Sequence, residues 1–142
     1  KQRTEIDAVI DTNVIVAALD SHKADAATIL VLDYLTKGIL QPLVNKEILA
    51  EYKEVLFRKK FNFSPEMVME WLHFFETYGI STERTTSSEN FIDEKDIVFY
   101  EVTLSVEDSF LITGNKKHFP QTPKVVSPAE MIDILRLLNK DK

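Results

Sequence analysis

The chain has no cysteine. That absence removes disulfides, thiol catalysis and thiolate zinc sites together, so any metal must be held by oxygen ligands or by the three histidines. No apolar run reaches the length of a membrane-spanning helix, and no basic-then-apolar leader opens the sequence, so a cytoplasmic protein without membrane contact is expected. Internal repeats, linkers and low-complexity tracts are missing too. Positive charge is in deficit: 17 basic against 23 acidic residues leave a net charge of −6, which repels a polyanion at long range. Nucleic acid stays open as a partner, because local basic patches and a bound cation can reverse the field near one cleft. The acidity equally leaves room for a basic protein partner. What is present is 142 residues, 44% hydrophobic and 28% charged, the profile of one globular domain over residues 1–142 with a real core.

Strand and helix periods alternate along the chain. Residues 5 to 10 read as a first strand, and Asn13 to Leu19 as a short helix leaving it. Ala24 to Lys37 is predicted as a helix with Ala27, Leu30, Val31 and Tyr34 on one stripe, closed by Gly38 as its C-terminal cap. Ile39 to Val44 reads as a second strand; its Pro42 lacks a ladder donor, which places it near an edge or a bulge. Asn45 caps a helix to about Arg58, and Ser64-Pro65 starts another that Gly79 stops. A third strand fits Ile80 to Arg84, and Thr85 to Asn90 reads as a surface loop. Asp93 opens a helix to about Val106, strands follow at Ser109 to Thr113 and Lys124 to Val126, and the capping box Ser127-Pro128-Ala129-Glu130 launches a closing helix through Leu138. Such alternation means an α/β fold, a parallel sheet covered on both faces.

Chemistry is signalled first at the end of the opening strand, where Ile6 to Ile10 stops in Asp11-Thr12-Asn13. Ligands of open α/β sheets bind beyond the carboxyl ends of the strands, and three converging carboxylates can hold a divalent metal. Glu51 falls on the apolar stripe of its helix with Ile48, Tyr52 and Val55, a costly place for a carboxylate without a partner. Glu47, one turn earlier, reads as first-turn complementarity to the helix dipole. Asp96 lies in the run Asp93-Glu94-Lys95-Asp96; taken alone it reads equally as an acidic first turn, with Asp93 as the cap. It gains weight because its helix can aim that turn at the strand ends. Thr113-Gly114-Asn115 ends a strand as Asp11-Thr12-Asn13 does, which points to a shared crevice with glycine allowing close backbone approach. Two groups offer positive charge. Arg58-Lys59-Lys60 with Phe61 and Phe63 reads as a solvated helix end, whereas Lys116, Lys117 and His118, beside Asn115, are candidates for phosphate contact. The set Trp71, Phe74, Phe75 and Tyr78 reads as core or a dimer face, His73 as packed or interfacial, His22 as exposed and Asp108 as structural.

In their order these pieces resemble the PIN domain family of metal-dependent ribonucleases, which includes the VapC-type toxins of toxin–antitoxin pairs. The matching segments are Val9-Ile10-Asp11-Thr12-Asn13, Ile48-Leu49-Ala50-Glu51-Tyr52, Asp96 heading a helix, and Leu111-Ile112-Thr113-Gly114-Asn115 leading to Lys116-Lys117-His118-Phe119-Pro120. The resemblance covers nearly the whole chain. It implies a three-layer α/β/α PIN-like fold around a parallel sheet of about five strands in the order 3-2-1-4-5. It also implies an acidic centre at Asp11, Glu51 and Asp96 holding Mg²⁺ or Mn²⁺, with Thr12, Asn13 and Thr113 in support. Asn115 departs from the pattern: many members carry a fourth aspartate there, and an amide removes one negative charge. The implied activity is hydrolysis of single-stranded RNA by an endoribonuclease, as a cytoplasmic, homodimeric toxin with an antitoxin protein. The alternative is a degenerate PIN-like module that binds RNA or protein without cleaving. A phosphorylated receiver domain, with Asp11 as acceptor, gives Glu51 no role.

Overall fold

The computed structural model of the chain describes residues 4–139. Strand β1 (Ile6–Ile10) leads into helices α1 (Thr12–Leu19) and α2 (Ala26–Thr36), then strand β2 (Leu40–Val44). Helices α3 (Lys46–Leu56) and α4 (Pro65–Tyr78) precede the two-residue strand β3 (Ile80–Ser81). Helix α5 (Glu94–Leu104), strands β4 (Phe110–Ile112) and β5 (Val125–Val126), and helix α6 (Pro128–Asn139) complete the chain, with single 3-10 turns at Lys59–Phe61 and Lys116–His118. The strands form one sheet in the order β3-β2-β1-β4-β5, and every pairing is parallel. This is the α/β architecture and strand order that the resemblance implies. Among the described residues, no helix is long and apolar enough to cross a membrane.

The central strands are unbroken apolar runs because helices cover them: Ala8, Val9, Ile10, Leu111 and Ile112 have no exposed surface. Every helix except α1, whose preceding Asp11 makes no side-chain cap bond, starts where a side chain satisfies a free amide. Asn45 accepts from the Ile48 N–H at 2.8 Å, Ser64 from Met67 at 3.3 Å and Asp93 from Lys95 at 3.0 Å. Ser127 and Glu130 close their box reciprocally at 3.1 and 2.8 Å. Helix α2 begins two residues later than its apolar stripe indicates, because Asp25 and Thr28 form a second box there.

Pro42 is not on an edge strand. β2 lies between β1 and β3, and Pro42 pairs in regular register with Ala8. The missing donor is tolerated because β3 spans only Ile80–Ser81, opposite Leu43 and Val44, and never reaches Pro42. The third strand is also shorter than expected. Arg84 lies beyond it and bridges Glu47 of α3 at 2.8 Å and Glu101 of α5 at 2.7 Å, so Glu47 is occupied in holding the fold together. Of the aromatic set on α4, Phe75 is fully buried, Trp71 and Phe74 pack partly against the core, and Tyr78 is exposed. His73 is exposed and not packed.

Candidate active site

Sheet geometry joins the two polar strand ends. The Asp11 N–H donates to the Ile112 carbonyl at 2.9 Å, carrying the β1–β4 ladder one residue past Ile10. Beyond that point the bonding passes to side chains. Thr113 Oγ1 donates to Asp11 Oδ2 at 2.8 Å and accepts from the Asn115 N–H at 2.9 Å, while the Gly114 N–H donates to Asn13 Oδ1 at 3.1 Å. Thr113 and Asn13 therefore lock the two ends into one rim. A Cβ on Gly114 would stand 3.6 Å from Asn13 Oδ1, ordinary contact, so crowding does not demand glycine there.

Asp11 is 6% exposed, and its carboxyl is pushed up to about 6 from an ordinary 3.8. Burial is the main cause; the Thr113 hydrogen bond opposes it, and the neighbouring charges of Asp96 and Glu51 add to the rise. Glu51 comes to this place on α3, whose inner face is Ile48, Tyr52, Val55 and Leu56. Tyr52 is the positioning residue that sequence reasoning passed over as core. Fully buried, it donates its hydroxyl to the Ile10 carbonyl at 2.5 Å and so pins α3 beneath the last residue of β1. Its hydroxyl is raised well above the ordinary range, by burial first and then by the charges of Asp11 and Glu51. The signal was its adjacency to Glu51 on a buried stripe.

Asp96 sits in the first turn of α5, with its side chain 15% exposed. Its Oδ2 is buried and lies in ion-pair range of His118 Nδ1, at 3.4 Å. Burial raises the Asp96 carboxyl, with Asp93 adding to the rise, His118 opposing it and Glu51 reinforcing it. Asp11, Glu51 and Asp96 line one cavity of about 450 Å³ together with Thr12, Asn13 and Asn115. Thr12 Oγ1 is buried there with no partner, so it supports neither carboxylate directly. Asn115 is exposed at the rim.

Among the described residues, no group of three or more acidic or histidine side chains is already gathered at metal-ligating distance. The donor chemistry nonetheless suits a hard divalent cation: the acids are all oxygen ligands, the charges of Asp96 and Glu51 raise the Asp11 carboxyl, the buried Thr12 Oγ1 has no hydrogen-bond partner, and the buried Asp96 Oδ2 faces His118 Nδ1 at 3.4 Å.

The basic residues are distributed differently from the sequence reading. Of Lys116, Lys117 and His118, only His118 lines the cavity; Lys116 turns to Glu130 of α6 at 2.9 Å, and Lys117 is exposed elsewhere. Arg58, Lys60 and Phe61, read as a solvated helix end, form part of the wall, as do Lys23 and Lys95. Lys95 could have been noticed beside Asp96. Lys23 had no local signal, because only the turn between α1 and α2 brings it to the cavity.

An acidic, oxygen-lined cavity rimmed by cations lies at the carboxyl ends of a 3-2-1-4-5 parallel sheet, the place where open α/β proteins bind their ligands. A family model described as PIN domain matches residues 7–117, from β1 to the turn after β4. The chain belongs to the PIN domain family, whose members are generally nucleases. Comparison with curated proteins finds no match.

Proposed function

We propose that this PIN domain is a Mg²⁺- or Mn²⁺-dependent endoribonuclease that hydrolyses single-stranded RNA. The observation that carries the reading is the buried Asp11 carboxyl, pushed up to about 6 in a cavity shared with Glu51 and Asp96. A raised carboxyl with acidic neighbours in a cleft is the pattern of a functional site. Asp11, Glu51 and Asp96 are the residues that would hold the cation. When bound, it supplies a Lewis acid for the phosphodiester and a water of lowered pKa. The chain's own part is orientation. Thr113 fixes Asp11 Oδ2, Tyr52 fixes the helix that carries Glu51, and His118 stands beside Asp96. Lys23, Lys60 and Lys95 have no carboxylate partner among the described residues and are free to meet phosphate oxygens at the wall.

The test is cleavage of a single-stranded oligoribonucleotide with Mn²⁺ and with EDTA, beside Asp11→Asn. Metal-dependent products from the wild type and none from the variant are expected; undiminished cleavage in EDTA removes the proposal. The exposed amide of Asn115 at the family's fourth acidic position favours one second reading, a PIN module that binds RNA or protein without cutting. RNA association with no divalent-dependent product would establish it. The role of a cytoplasmic toxin, with an antitoxin protein and a homodimeric state, is proposed on the motif resemblance to VapC-type toxins alone. Co-expression with the product of an adjacent open reading frame, followed by sizing of the complex, tests that role.

A further inference from the structure

We infer that Phe61, backed by Phe63, is a stacking step for the nucleobase next to the scissile phosphate, with Lys60 holding that nucleotide's phosphate. The inference rests on the reading of the cavity as a nuclease site. Its basis is the segment between α3 and α4. Phe61 forms part of the cavity wall that Asp11, Glu51 and Asp96 share. Its ring is stacked on Phe63, with centroids 5.5 Å apart and planes 12° from parallel, and both rings rest partly against the core without being buried in it. Two aromatic rings in line at the edge of an acidic cavity are out of keeping with a plain helix end, where charged side chains suffice.

The backbone between them is unusual. Asn62, the residue that separates the two phenylalanines, has a φ of +52°, the sole left-handed non-glycine residue among the described ones. Left-handed backbone is costly for most side chains and is tolerated by asparagine; such conformations gather at ligand-binding positions. Here it closes the 3-10 turn Lys59–Phe61, with the Asn62 N–H donating to the Lys59 carbonyl at 3.1 Å, and holds the rings parallel. The Lys60 ammonium lies 5.2 Å from the Phe61 ring centroid and has no carboxylate partner among the described residues. A flexible four-carbon arm can yield the ring to a base and carry its charge to the adjoining phosphate. Stacking on an aromatic face tolerates every base, so this step would set where a strand seats more than which sequence is cut.

The experiment uses oligoribonucleotides with a single 2-aminopurine moved along the strand, bound to the protein in EDTA at low salt so that the strand stays whole. Quenching of the fluorescent base is expected at one position. Phe61→Leu, which keeps the apolar bulk, should abolish that quench and weaken binding about ten-fold, whereas Phe61→Tyr should retain both. Lys60→Gln should weaken binding and lower the salt slope by about one while leaving the quench in place. If Phe61→Leu fails to fold, the wild-type scan with Lys60→Gln decides. A wild-type scan without any quenched position, or a folded Phe61→Leu that quenches like the wild type, overturns the inference. The two readings fail separately: quenching without any Mn²⁺-dependent cleavage removes the nuclease and keeps the stack, and cleavage without quenching does the reverse.

Discussion

Asp11 sets the terms at the scale of single residues, because its ionised form is the one the fold disfavours and a cation needs. With its carboxyl at about 6 in the folded protein against 3.8 ordinarily, the native state binds a proton that the unfolded chain has already released. Its contribution to stability is thus fully present below about pH 4, is lost as pH rises through about 6, and by pH 7 leaves a penalty on the order of 3 kcal/mol. Asp11→Asn should therefore raise the urea midpoint at pH 7 in chelator and flatten the fall in stability between pH 4 and 7. An unchanged midpoint would show that the wild-type carboxylate is already neutralised. Mn²⁺ should raise the wild-type melting temperature and have little effect on the variant, since only a ligand of the native state stabilises it. Thr113→Val removes the larger of the two hydrogen bonds that lower the Asp11 carboxyl, leaving the one from the Asn13 backbone. The acid limb of the cleavage–pH profile should move upward in that variant, and a limb that stays put would detach Asp11 from the rate.

Between elements, the site depends on two ties. Tyr52 fastens α3 to the end of β1 through the Ile10 carbonyl, so Tyr52→Phe should cost about 1–2 kcal/mol in urea unfolding by leaving a buried acceptor short. Its cleavage rate should fall as well, because Glu51 sits one residue away. Loss of stability with full activity would mean that α3 keeps its place without the bond. Arg84 is the second tie, joining the exposed Glu47 to the buried Glu101. Glu47→Ala should change stability by less than about 0.5 kcal/mol, as exposed pairs do, whereas Arg84→Met leaves the buried Glu101 carboxylate without its cation, held by the Ser87 N–H at 2.7 Å, and should cost clearly more. Equal effects in urea melts would make Arg84 a surface residue like any other. These ties explain the limits of a sequence reading at this scale. Helix starts were legible from Asn45, Ser64, Asp93 and Ser127, whose bonds close within three residues. Arg84 looked like strand because its partners lie 37 and 17 residues away.

For the molecule as a whole, net charge and local field oppose one another. An overall −6 repels RNA, while Lys23, Arg58, Lys60 and Lys95 meet at one cavity wall. Arg58 is paired with Glu54 at 2.8 Å, and three phosphate contacts by the lysines correspond to a log–log salt slope of about −2 for single-stranded RNA. A slope near twice that would place the main contacts outside this cavity, on residues such as Lys116 and Lys117.

The fold class, the parallel sheet and the acidic strand end were readable along the chain, because buried strands, helix caps and a carboxylate closing an apolar run are local patterns with local causes. Folding alone decided the rest. Asp11, Glu51 and Asp96 come to one cavity only because a 3-2-1-4-5 sheet sets β1 beside β4 and Tyr52 ties α3 to β1. The same packing turns Lys116 away to Glu130 and brings Lys23 and Lys60 to the wall, since a cation's role depends on which distant groups surround it and no spacing along the chain records that.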